Sequence, residues 1–164
     1  FGGRLVTLGS PSKTFNLAGL KSSAAIITNP NIRRLFYEHM SGSIGAVNLL
    51  GETAMKAAYH NGADWLEEMI QYLDKNRTFL GEFLSSQLPE IDYVPPQATY
   101  LAWLDCSKLN LEHPGRHFLN KAKVALNHGE WFGDGYEQFV RLNFGCPRSI
   151  LENALTRMKS SLLE

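Results

Sequence analysis

Hydrophobic residues along the chain switch between short, nearly unbroken runs and stripes at helical spacing. Leu5–Leu8 and Ala24–Thr28 are runs of strand length, and the first reads as a buried strand. The Asn29-Pro30 pair closes the second. From Asn31 to Met40, Ile32, Leu35 and Phe36 share one helix face while Arg33, Arg34 and Glu38 lie outside it. Ser43 is a candidate N-cap for a helix from about Ile44 to His60, which Asn61-Gly62 stops. The small residues of that helix, among them Gly51, Ala54 and Ala58, permit close packing against another helix or subunit. Asp64 reads as the cap of a longer helix, from about Trp65 to Gln87. Its stripe is Leu66, Met69, Ile70, Leu73, Phe79, Leu80, Phe83 and Leu84, and Pro89 ends it.

The pattern then changes period. Ile91–Val94 reads as an edge strand stopped by Pro95-Pro96, and Thr99–Asp105 as a strand rich in aromatic residues. Leu111–Lys121 fits a short helix despite Pro114-Gly115, and Val124–Asn127 a small strand. The turn-forming stretch His128–Gly135 reads as a loop that lines something, because no Gly-Lys-Ser/Thr follows to mark a phosphate cradle. Phe139–Phe144 alternates, with Val140, Leu142 and Phe144 on one face and Phe139, Arg141 and Asn143 on the other. Ser149, with Glu152 three residues later, predicts a capping box for a closing helix striped by Ile150, Leu151, Ala154, Leu155, Met158 and Leu162. Strands and helices interleave throughout, so the fold class is α/β.

Composition narrows the function classes. The 164 residues carry 16 basic and 16 acidic side chains, and this balance gives no basic patch for nucleic acid and no charge bias for a membrane surface. No apolar run approaches a membrane span. Two cysteines, Cys106 and Cys146, are too few for a disulfide framework and suit reduced thiols in a cytoplasmic protein. His113 and His117 have one-face helical spacing, but no third ligand stands near, so no metal site is assigned.

Two positions carry candidate chemistry. The first is Lys13, in Ser10-Pro-Ser-Lys-Thr-Phe-Asn-Leu-Ala-Gly-Leu-Lys21, just past a predicted strand. An amine held there can form a Schiff base with an aldehyde if burial or a nearby cation lowers its pKa. Ser10 and Ser12 add hydroxyls and Lys21 a charge, a set that suits a phosphate group. On composition alone, a surface lysine in a Ser/Pro turn is the better fit. The second is Arg141, whose rigid fork on a strand would grip a carboxylate; an exposed face residue is the alternative.

The Lys13 segment resembles that of fold-type I pyridoxal-phosphate enzymes, the class I/II aminotransferase superfamily, and within it the MalY/PatB-type cystathionine β-lyase group. Thr99–Asp105 resembles that group's small-domain strand, with Ala98 where glycine is usual. Residues 139–148, Phe-Val-Arg-Leu-Asn-Phe-Gly-Cys-Pro-Arg, resemble its carboxylate-binding segment, with Arg141 and not Arg148 at the matching position. These three segments occur in family order across nearly the whole chain.

The resemblance implies pyridoxal 5'-phosphate as cofactor, held covalently by Lys13, with Ser10 binding its phosphate and with Ser12 and Lys21 beside it. It implies Arg141 on the substrate carboxylate, a small amino-acid substrate and a homodimer. Lys21 departs from the arginine most aminotransferases carry there, which favours a C–S lyase releasing pyruvate, ammonia and a thiol over a transaminase. The expected layout is the C-terminal part of the cofactor-binding large domain in residues 1–62, then an α/β small domain in 63–164 entered by a long helix. The chain opens with Phe1-Gly2-Gly3, and superfamily members are more than twice as long, so it reads as a C-terminal fragment. Residues that stack on the cofactor ring and pair with its nitrogen are expected outside it. A fragment serving only as a folding or dimerisation module is the alternative of another class.

Overall fold

The computed structural model describes residues 3–42 and 45–163. The chain divides into two compact units, Phe1–Met69 and Ile70–Glu164.

In the first unit, β1 (Val6–Gly9) and β2 (Ala24–Ile27) form an antiparallel pair with Val6 opposite Ile27 and Gly9 opposite Ala24. The strand expected to be buried is not: Leu8 is 71% exposed, and of the pair only Ile27 is buried. Two strands cannot cover their own faces, so the apolar sequence signature outruns the packing available here. Helix α1 (Pro30–Met40) starts from Asn29, whose side chain accepts from the Asn31 and Ile32 amides. Helix α2 (Leu49–Asn61) begins later than the sequence pattern suggests. Asn48 is its cap, accepting from Gly51 N–H at 2.8 Å while its own amide donates to the Leu20 carbonyl. The expected cap Ser43 lies outside the described residues. Helix α3 (Ala63–Gln87) starts one residue before Asp64, which therefore sits in the first turn and favours the helix dipole instead of capping it.

The second unit is a four-stranded antiparallel sheet with helices on one face. Its strands are β3 (Asp92–Tyr93), β4 (Leu101–Asp105), β5 (Asn127–His128) and β6 (Phe139–Asn143), in the order β3-β4-β6-β5. The predicted alternation of β6 holds: Val140, Leu142 and Phe144 are buried, with Ala102 and Leu104 of β4 beside them. Against that face pack Leu80 and Leu84 of α3 and Leu151, Leu155 and Met158 of α5 (Arg148–Ser161). Phe118 joins the same core, at the junction of a single-turn helix α4 (Pro114–His117) with a π-helical turn.

Other expectations from the sequence do not hold, among them Ile150 of the predicted α5 stripe, which is 59% exposed. Ser149 does not cap α5, which starts from an extended Pro147 without a side-chain cap. Ile70, assigned to the α3 stripe, is 51% exposed, and burial along this helix is confined to Asn76, Leu80 and Leu84. The strand expected at Val124–Asn127 pairs only from Asn127 onward.

Asn76 is the fully buried polar residue that ties this core together. Its Nδ2 donates to the carbonyls of Phe144 (3.0 Å) and Cys146 (2.8 Å), and its Oδ1 accepts from Arg148 Nε (2.9 Å). Arg148 also donates to the Lys75 carbonyl and lies over the Phe79 ring, 4.2 Å from its centroid. The start of α5 is thereby bound to α3, and the Arg148 fork is consumed in doing so.

Candidate active-site residues

Lys13 lies in a helical turn that follows β1. The Phe15 amide reaches back to the Pro11 carbonyl at 2.8 Å and the Leu17 amide to that of Ser12 at 3.0 Å. Pro11 is buried beneath the turn, and Asn16 takes a left-handed conformation to end it. Phe15 anchors the turn, edge-on to Tyr59 of α2 and stacked on Trp65 at the start of α3. A side chain at Gly62 would meet the Phe15 ring at 2.6 Å, so glycine at that junction makes room for the anchor. Ser10 organises the other side: its hydroxyl donates to the Ser22 carbonyl at 2.9 Å, accepts from the Ser12 amide at 3.1 Å and lies 2.8 Å from Ser12 Oγ.

The Lys13 side chain is exposed, and its ammonium makes no hydrogen bond or ion pair among the described residues. The buried setting envisaged from sequence is absent, because the turn stands on Pro11 and Phe15 and leaves the residue between them on the surface. Lys21, also exposed, has a left-handed backbone that closes the following 3-10 turn. Beside it Ser22 is buried, and its hydroxyl has no hydrogen-bond partner among the described residues. Ser10, Ser12, Lys13 and Lys21 thus share one loop, with two seryl hydroxyls in direct contact.

Arg141 occupies the middle of β6, on the face opposite the core. Its strand neighbours across the sheet are Trp103 on one side and Asn127 on the other. Asn127 Oδ1 accepts from Arg141 Nη2 at 3.0 Å and Nε at 3.3 Å. The Phe132 ring lies 4.7 Å from Arg141 Cζ, a cation–π contact. Trp103 meets Phe132 and Tyr136 edge-on and stacks on Phe139. Trp103, Phe132, Tyr136 and Arg141 line an open pocket of about 340 Å³. A half-buried guanidinium in an aromatic wall is a fitting receptor for an anion with an apolar neighbour.

The glycine-rich loop His128–Gly135, read as a lining segment, supplies Phe132 to this pocket, and Tyr136 follows it directly. Its course depends on Gly129, where a Cβ would fall 2.0 Å from the Tyr136 carbonyl oxygen. Sequence reasoning missed Asn127, which it read only as the end of a strand. The alternation of Val124 and Leu126 toward the core was the available signal, since it sends Asn127 to the other face. His117 bonds the Ser161 carbonyl at 3.1 Å, His113 precedes α4, and the described residues contain no cluster of three metal-ligating side chains.

A sequence profile described as aminotransferase class I and II matches residues 2–158. The chain belongs to the class I and II aminotransferase family. Within that family it is 41% identical over 160 residues to "Cystathionine beta-lyase PatB" of Bacillus subtilis, covering 96% of this chain and 41% of the relative. Among solved structures, cystalysin from Treponema denticola, which contains pyridoxal 5'-phosphate, superimposes with TM-score 0.91 at 33% identity. That match covers 99% of this chain and 42% of cystalysin. The pyridoxal-phosphate-bound C–S lyase of Staphylococcus hominis gives TM-score 0.88 at 35% identity, over 99% of this chain and 43% of the lyase. The chain therefore spans about two fifths of the length of these family members. The α/β architecture is that of the corresponding part of fold-type I enzymes.

Proposed function

We propose that the chain is part of a pyridoxal-phosphate-dependent C–S β-lyase acting on cystathionine or a related cysteine thioether. The observation that carries this reading is the Lys13 loop, in which one amine, two touching seryl hydroxyls and the Lys21 cation lie on a single turn-built segment. Its relatives with cystathionine β-lyase and C–S lyase names support the reaction class.

The residues fit the cofactor. Lys13 offers a primary amine for the aldehyde. Ser10 and Ser12 offer hydroxyls for the phosphate, and the Ser22 hydroxyl beside Lys21, without a partner among the described residues, is a further donor in the same segment. Lys21 adds a point charge where an arginine would add a fork. When bound, the cofactor supplies an electron sink for the carbanion at the substrate Cα. The Lys13 amine would accept the substrate Cα proton on Nζ. Arg141 would hold the substrate carboxylate through its guanidinium. With the proton removed, the thiolate departs from Cβ, and water converts the remaining three-carbon unit to pyruvate and ammonia.

A second reading, transamination, has the family assignment in its favour. It would differ in where Lys13 delivers the proton, and no thiol would leave. The full-length protein should release pyruvate and thiol from cystathionine faster than it transfers nitrogen to 2-oxoglutarate. Strong transamination without thiol release would select the second reading.

We further place the enzyme in the cytoplasm as a homodimer. Cys106 and Cys146 are free thiols, and α2 presents Leu49, Leu50 and Tyr59 as exposed apolar side chains that suit a second copy.

A further inference from the structure

The Arg141 guanidinium presents its N–H donors along two useful edges, a side-on edge of Nε and one Nη2 hydrogen and an end-on edge of Nη1 and the other Nη2 hydrogen. A single oxygen, Asn127 Oδ1, takes both donors of the side-on edge, at 3.3 and 3.0 Å. Phe132 covers one face of the group at 4.7 Å. The end-on edge has no partner among the described residues, and no carboxylate pairs with this arginine.

Asn127 is itself fixed by its strand. It pairs with Arg141 in the β5–β6 register, and the next residue, His128, pairs with Val140. The His128 ring stacks parallel to Trp131 with centroids 4.8 Å apart, which holds the start of the loop that delivers Phe132. The clamp on Arg141 is thus made of two elements that flank the same short turn.

We propose that Asn127 is a positioning residue that sets how the substrate is gripped. By occupying the side-on edge with a neutral acceptor, it turns the end-on pair Nη1/Nη2 toward the substrate carboxylate and leaves the full positive charge for it. The inference rests on the reading of Arg141 given under Proposed function. Asparagine suits this task better than aspartate, because an aspartate would hold the fork equally well but cancel its charge.

The test uses the full-length, cofactor-loaded protein and compares an amino-acid thioether with its carboxamide analogue, in which the carboxylate is neutral. Asn127→Ala should raise KM for the acid about tenfold, as expected for loss of one charge-assisted hydrogen bond, with kcat changed by less than about twofold and the amide unaffected. Asn127→Asp keeps size and acceptor, so it should fold like the parent, yet weaken the acid still more while sparing the amide. Calorimetric binding of an α-methyl amino acid, which has no proton to lose, should weaken in step. Equal weakening of acid and amide would reduce Asn127 to a structural role and overturn the proposal. So would unchanged KM in both variants while Arg141→Lys raises it. If Arg141→Lys itself leaves the acid unaffected, the assignment of Arg141 fails first and the role of Asn127 with it.

Discussion

Asn76 uses both ends of its amide inside a core that is otherwise apolar, and nothing in the local sequence marks it out. It sits between polar neighbours on α3 and reads as an exposed position until the chain seventy residues later arrives to meet it. Asn76→Ala should strip partners from two carbonyls and from Arg148 at once, lowering stability by about 2–4 kcal/mol in urea titration. Asn76→Asp restores the acceptor for Arg148 but loses the donor, and should recover only part of that. Cys106 gives a second expectation at this scale. Burial first, and the adjacent Asp105 carboxylate second, push its thiol from the ordinary 9.0 up to about 12. Because the folded state keeps the proton that the unfolded chain gives up, the stability contributed by this group is present below pH 9 and lost as pH rises toward 12. The slope is at most about 1.4 kcal/mol per pH unit. Native Cys106 should therefore resist alkylation at pH 8 and react on unfolding, and Cys106→Ala should flatten the alkaline limb.

Element boundaries show where the sequence was legible and where it was not. The alternation of Phe139–Phe144 and most of the apolar stripe of α5 were readable because each depends only on which side chains share a face, although Ile150 of that stripe is 59% exposed. Caps were not. Several residues near α2 can accept an amide hydrogen, and Asn48 is selected because its Nδ2 also reaches the Leu20 carbonyl, a contact no local pattern encodes. Asn48→Ala should cost about 1 kcal/mol or more and loosen the segment that carries Lys21, seen as faster amide exchange there. Lys13, Ser10 and Arg141 were singled out through resemblance, whereas the one sequence signal for Asn127, the alternation of Val124 and Leu126, went unread and Phe132 emerged from the turn at Gly129. Gly129→Ala must displace both the Tyr136 and the Phe139 carbonyls, which lie 2.0 and 2.6 Å from the added carbon. It should distort the loop that carries Phe132 and raise KM for amino-acid substrates more than it lowers melting temperature.

At the scale of the molecule, the second unit has a closed two-layer core while the first exposes Val6, Leu8 and Ile26 on a two-stranded pair. Unpaired strand edges with apolar faces recruit further strands. The chain expressed alone should therefore self-associate, with light scattering showing species larger than a monomer, and should show no measurable pyruvate release. A monodisperse, active monomer would remove the need for the remaining three fifths of the relatives' length. The central claim is that Lys13 is the residue that bonds the cofactor. Its most direct test is borohydride reduction of the full-length, cofactor-loaded protein followed by peptide mapping. The account requires the pyridoxyl group on Lys13, with the label lost in Lys13→Ala; a label on Lys21, or full labelling of the Lys13→Ala protein, would contradict it.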